Sequence, residues 1–349
     1  MSRPIGWVTR AKAIVCGYGD AVTPISGIDP TADRFTIRAL RARPPGRASQ
    51  DPERRRMFTA ALGQFDELLD ATAVAGPASR PLPLYYALNQ AGRAIIAAYQ
   101  APGRPWKPSL HGLTAQMPDD GHLQGVKISA QSRAADDGIV QLLAEAMDTA
   151  RLQHPTTLAQ VWAAIPGFPV PGLGAGCMRP LPLTIEWGES SGLREIVLQL
   201  DHPMAPPTPT KAPVKKIIRD YFPRAAPGLV VHDVDRTPNH FHSVRADMEW
   251  RNDDGSATHP RLRAHQYLGS WWLLPKLNAQ KDVLSAFMLW WALLLALSTI
   301  ARYHPAEWTA ALDPDDAWTT VPIEEVLQRA LELVPHLVLE ALRRENRTS

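Results

Sequence analysis

Apolar residues recur at three- and four-residue steps through Phe58, Ala61, Leu62, Phe65, Leu68 and Leu69, the period of one helix face. Asp51-Pro52 supplies an N-cap followed by proline at the first helical position, and Gly76-Pro77 ends the run. A second helix is expected from about Leu84 to Tyr99, stopped by Pro102-Gly103. A third is expected over about 137–152, and a short fourth opens at Thr156-Thr157 and closes before Pro166. The pattern then changes period. Short β-rich runs at 183–187, 194–200, 229–234, 242–250 and 261–268 are separated by turn residues and read as an antiparallel sheet, interrupted by a short helix near 213–221. After about 278 the helical period returns, with an apolar helix to about 302, a short helix opened by Pro305, and a last one from Pro322 to about Arg343. Helices, strands, then helices predict an α+β protein, with a helical core from both chain ends and a central antiparallel β-sheet insert. The expected organisation is an irregular or strand-like basic segment over 1–50, an N-terminal helical part over 51–165, a proline-bordered β-rich insert over 166–275, and a C-terminal helical part over 276–349 packing on the N-terminal helices.

Composition sharpens this layout. Proline, at 33 of 349 residues, is about twice its usual share of roughly 5%. Prolines interrupt helix interiors, so they belong at joints and sheet margins, and they crowd at 77–108, 164–182, 203–213 and 222–238. The proline-rich segment 202–213 is expected to be a connecting arm. A net charge of +2 gives no whole-chain demand for nucleic acid or an anionic membrane. Cys16 and Cys177 stand far apart, outside any metal or disulfide spacing, which fits a reducing cytoplasm. The first twenty residues are too broken by charge and proline for a signal peptide. Val283 to Ala301 carries 19 residues without a charge and meets the length of a membrane-spanning helix. No second such run exists, and the mean hydropathy is −0.19, so a fully buried core helix is the favoured expectation and a membrane anchor the alternative.

Two segments resemble the YaaC-like protein family. One is Leu84 to Ala115, with an aromatic-rich helix, a Gln (Gln90) facing the core, a proline-containing link and His111-Gly112. The other is Leu289 to Leu342, with an apolar helix ending in Arg302-Tyr303, then Pro305 and Trp308, and a final helix broken at Val334-Pro335. The resemblance implies a cytoplasmic protein with a helical core and brings no activity with it.

The candidate chemistry follows from side-chain type and place. Arg302 ends an apolar helix, where it can cap carbonyls, pair with Glu307, or bind an anion beside His111, with Tyr303 and Trp308 sealing the groove. Gln90 and Arg93 lie inside an apolar helix, so Gln90, Arg93, His111 and Arg302 form the candidate ligand-binding set. Arg104 and His111 have the R-x6-H spacing, and Arg236 and His242 the R-x5-H spacing, of helical-bundle HEPN ribonucleases, where Arg stabilises phosphate charge and His moves a proton. Prolines in both intervals argue against a continuous helix. His232, Asp235, His240 and His242 are the candidate metal ligands, against turn and surface roles. Arg34, Arg38, Arg41, Arg43, Arg47 and Arg54 to Arg56 form a basic segment without interleaved aromatics, expected to be a solvated surface. Nucleotide and serine-hydrolase motifs are absent, and the glycine-rich GLGAG at 172–176 is preceded by prolines and followed by no helix start. No cofactor is expected. The leading expectation is a binding or regulatory protein, for a protein or small-ligand partner, using the groove between the N- and C-terminal helices. The alternatives are a HEPN-like metal-independent ribonuclease of growth inhibition or phage defence, which would contact nucleic acid, and a membrane-associated protein anchored by 283–301.

Overall fold

The computed structural model describes residues 28–131, 138–167, 172–174, 176–187, 194–199, 229–236, 243–250, 265–280, 282–313, 315 and 317–343. Helix α1, Pro30–Ala42, opens where an irregular segment was expected. The Asp29 carboxylate caps it, accepting from the Thr31 and Ala32 amides at 3.0 Å each, and Pro30 follows at the first turn. The Asp-Pro signal is the one at Asp51-Pro52, and α1 packs Ile37 and Leu40 on the core while Arg34, Arg38 and Arg41 recur at helical spacing. Ion pairs fasten it. Arg34 donates to Asp66 at 2.6 Å and to Asp70 at 2.7 Å, and Arg38 donates to Asp66 at 2.7 Å. Both acids belong to α2, Pro52–Val74. Burial pushes the Asp66 carboxyl up, yet the Arg38 and Arg34 hydrogen bonds hold it below the usual range.

Helix α2 buries Phe58, Ala61, Leu62, Phe65 and Leu69, the stripe its periodicity predicts, and packs on α3, Pro81–Tyr99. Arg54, itself buried, donates to the carbonyls of Ala97 at 3.2 Å and Gln100 at 3.0 Å, closing the C-terminus of α3. The polar residue that α3 buries is Asn89, 3% exposed; Gln90 is only half-buried, one position round the helix from the core.

Within the N-terminal helical part lies a small antiparallel sheet in the order β1-β2-β3, from Leu113–Gln116, Lys127–Ala130 and Thr156–Thr157. The third helix is shorter than expected: α4 spans Ile139–Ala146. The next, α5, spans Leu158–Ala163, and its capping box pairs Thr157 with Gln160. The glycine-rich run proves to be a packing feature. A Cβ on Gly174 would sit 2.7 Å from the Ala163 Cβ, so glycine lets this short turn lie directly on α5.

The central insert is an antiparallel sheet of order β6-β7-β5-β4-β9-β8, with β4 Leu181–Trp187, β5 Arg194–Gln199, β6 Leu229–Arg236, β7 Ser243–Trp250, β8 His265–Tyr267 and β9 Ser270–Leu273. Three hairpins build it, with Ile185 opposite Ile196 and Ile196 opposite Ala246.

The chain then returns to the core as α6, Ala286–Tyr303, followed by α7, Pro305–Ala311, and α8, Thr320–Leu342. Among the described residues α6 is the one helix long and apolar enough to cross a membrane, and 78% of its apolar stretch is buried inside the protein. A Cβ on Gly92 of α3 would lie 2.6 Å from the Trp291 ring, so glycine is what permits this contact. Gly92 meets Trp291 and Tyr86 meets Arg302, so α3 and α6 run antiparallel. The Trp290 indole N–H donates to the buried Tyr267 hydroxyl at 3.0 Å, tying the sheet's last hairpin to the helical core. Helix α8 runs without interruption through Pro335, where a break was expected. An internal proline costs about 3 kcal/mol. Both Val334 and Pro335 are buried, and this packing offsets the lost backbone hydrogen bond.

Candidate functional site

Three elements form an open groove of about 590 Å³. Helix α3 contributes Leu82, Tyr85 and Tyr86, one helical stripe. From α6 come Leu295, Ser298, Thr299 and Arg302, another stripe with the same spacing. The third wall is the His111 loop with strand β1 and Met117, backed by Gln131. The groove thus lies between the N- and C-terminal helices, and it brings together His111 and Arg302, residues 191 positions apart by number (302 − 111).

The backbone on both sides of His111 is pinned. The Leu110 carbonyl accepts from the Ile139 amide at 2.9 Å, which ties the loop to the start of α4. The Gly112 amide donates to Gln131 Oε1 at 2.9 Å, and the Gly112 carbonyl accepts from the Gln131 amide at 3.0 Å and Gln141 Nε2 at 3.1 Å. Gly112 has φ +82°, and a Cβ there would collide with the Gln141 side chain. Glycine is therefore required for the turn that presents His111.

The protonation of His111 follows from its neighbours. Tyr85, buried in α3, has its hydroxyl 3.1 Å from His111 Nδ1. Burial pushes the Tyr85 phenol well above its ordinary value, so it stays protonated. Partial burial, reinforced by the charges of Arg93 and Arg302, pushes His111 down, so the imidazole is neutral at neutral pH. A neutral imidazole carries one N–H and one acceptor nitrogen, and Tyr85 engages the Nδ1 side. The Tyr85 ring is itself held edge-on against Trp291, with centroids 6.2 Å apart.

Arg302 is exposed at the end of α6. Its Nη1 donates to the Tyr86 hydroxyl at 3.0 Å, and its guanidinium lies over the Tyr303 ring at 5.0 Å. It therefore neither caps α6 nor pairs with Glu307. Among the described residues it has no carboxylate partner, and no Asp or Glu lines the groove. Tyr303 forms part of the lining, whereas Trp308 is buried, its indole N–H donating to the Ala78 carbonyl at 2.9 Å.

The other candidates divide. Arg93 does not line the groove; its Nε donates to Asn89 Oδ1 at 3.3 Å, and it reaches the site through its effect on His111. Gln90 is not among the lining residues. Arg104 forms a two-pronged ion pair with Glu145, at 2.6 and 3.2 Å, and lies outside the groove lining. His232 sits at a β-bulge between Val231 and Asp233, and Asp235 is in register with Arg245 of β7. His240 and His242 lie outside the described residues, as does the 202–213 arm. No group of three or more His, Cys, Asp or Glu that could hold a metal occurs among the described residues.

Sequence reasoning missed Tyr85, Tyr86, Ser298 and Thr299 as site residues. A signal existed. Ser298, Thr299 and Arg302 form a polar stripe at i, i+1 and i+4 on an otherwise apolar helix, the stripe that lines the groove.

No curated protein and no solved structure matches the chain. The family model described as YaaC-like Protein matches residues 30–342, from the first residue of α1 to the last of α8. That match takes in both helical parts, the sheet between them and every wall of the groove, and the chain belongs to the YaaC-like protein family.

Proposed function

We propose that the protein is a cytoplasmic binding or regulatory protein that takes a small anionic ligand in the groove between α3, α6 and the His111 loop. The observation that carries this reading is the electrostatic imbalance of the groove. Among the described residues it holds a guanidinium with no carboxylate partner and a neutral imidazole hydrogen-bonded with Tyr85, and no acid lines it. An arginine presents planar, paired N–H donors that suit carboxylate or phosphate. The volume of about 590 Å³ falls within the range of small-molecule sites. Arg93 adds positive potential behind the site. The spare cysteine usage and the burial of α6 support the cytoplasmic assignment.

The ribonuclease reading needs Arg104 to face a phosphate beside His111, and the Arg104–Glu145 ion pair gives it no support. The membrane reading needs a free apolar helix, and the burial of α6 gives that none.

Calorimetric titration of the purified protein with inorganic phosphate, acetate and larger carboxylates and phosphates tests the proposal. Saturable binding that weakens with rising salt is expected. Failure of every anion to bind, or RNA cleavage lost in His111→Ala, overturns it.

A further inference from the structure

The groove wall supplied by α6 changes character along its length. Leu295 is apolar, Ser298 and Thr299 are hydroxylic, and Arg302 is cationic, so one stripe of about 10 Å runs from oil to charge. The middle of that stripe is specific in what it accepts. The Ser298 hydroxyl donates to the Leu295 carbonyl at 2.9 Å, and the Thr299 hydroxyl donates to the same carbonyl at 2.8 Å. Both hydroxyl protons are committed to the helix, so towards the groove these oxygens offer only lone pairs. An anion is favoured at Arg302 and His111 and disfavoured one turn further along. Past that band the α6 wall is Leu295, and across the groove Leu113, Ala115 and Met117 alternate with Thr114 and Gln116.

From this gradient, and resting on the anion-binding reading above, we infer the class of ligand: an amphiphilic monoanion, with one acidic head and an apolar body. The head, a carboxylate or a phosphate monoester, takes N–H donors from Arg302 beside His111 and lies within reach of the Tyr86 hydroxyl. The body lies along α6 past Thr299 and Ser298 to Leu295. A dianion with acids at both ends places its second charge against apolar surface, and a bare anion leaves that surface wet.

A homologous carboxylate series read by calorimetry on the full chain tests this: acetate, butanoate, hexanoate and octanoate, with the dicarboxylate suberate and inorganic phosphate as comparators. Affinity is expected to rise roughly fourfold for each added methylene while the chain still gains contact with the wall. Octanoate is expected to bind more tightly than suberate of the same length. Leu295→Ala is expected to flatten the chain-length dependence; Met117→Gln, on the half-buried loop, does the same where the helix variant does not fold. Equal affinity along the series, or suberate matching octanoate, overturns the amphiphile while leaving simple anion binding intact. Absence of binding by every member, phosphate included, overturns both.

Discussion

The arginines of α1 and the arginine at the end of α6 are alike in sequence and opposite in circumstance. Arg34 and Arg38 stand in the densest basic segment of the chain, and both are neutralised by Asp66 and Asp70 across the α1–α2 contact. Arg302 stands in an apolar neighbourhood, and its hydrogen bond goes to the Tyr86 hydroxyl instead of an acid. A density of arginine therefore says little about anion binding here. What matters is whether the fold brings a carboxylate to each guanidinium, and among the described residues it brings none to the groove. The paired arginines hold two helices together, whereas Arg302 holds a tyrosine hydroxyl.

Exchange of roles between these regions would break the comparison. Arg302→Ala is expected to have the largest effect, on binding: loss of a charge-assisted contact of about 2–3 kcal/mol, thirtyfold or more in affinity, with stability changed by less than about 0.5 kcal/mol. Calorimetric titration and thermal melting read the two quantities. Asp66→Ala is expected to do the reverse. It strands two guanidiniums at a helix contact and lowers stability by about 1–2 kcal/mol in denaturant melts, without touching ligand affinity. An affinity loss in Asp66→Ala equal to that in Arg302→Ala would erase the distinction. Thr299→Glu sharpens it further, since a carboxylate one turn before Arg302 imitates the α1–α2 arrangement inside the groove. Binding is expected to be lost while the helix gains about 0.3–0.5 kcal/mol from the new pair.

The smallest expected effect concerns two histidines with opposite shifts. His336 of α8 has its Nδ1 2.9 Å from Asp33 of α1 and its Nε2 3.5 Å from Glu340. The Glu340 hydrogen bond, partly opposed by burial and joined by Asp33, pushes its pKa above the ordinary histidine value. Its contribution to stability is thus complete below the unfolded value of about 6.5 and disappears as pH rises through the folded value. His111 is shifted down, so its neutral form is the favoured one when folded, and stability is lost as pH falls below about 6.5. Melting midpoints against pH are expected to lose the alkaline-side decline in His336→Gln and the acid-side decline in His111→Gln. Swapped limbs would show that the two sites have been assigned the wrong way round.

Much of the fold was legible because burial leaves a periodic mark. The stripes of α2 and α6, the caps at Asp51 and Thr157, and the short β-rich runs all read directly from the chain. Helix α1 was legible too, in the Asp29-Pro30 start and in Arg34, Arg38 and Arg41 at helical spacing, and the expectation of a solvated basic surface segment passed over it. The site was half legible. His111 and Arg302 stood out as polar groups in unusual places, and both line the groove. Gln90 and Arg104 stood out for the same reason and do not, since a one-position rotation on α3 and the presence of Glu145 decided against them.

By itself, then, the sequence determined most of the long helices and the strands of the central sheet, with α1 and β1 to β3 missing from the expectation, that both chain ends are helical around a strand-rich middle, and that α6 has nearly every face apolar. These are local properties, set by side-chain type at fixed spacing. Only the tertiary structure decided that Tyr85 would engage His111, that Asp66 would neutralise Arg34 and Arg38, and that no acid among the described residues would pair with Arg302. Each depends on side chains from distant parts of the chain meeting within hydrogen-bond range, and a spacing along one helix carries no information about what another helix brings to it.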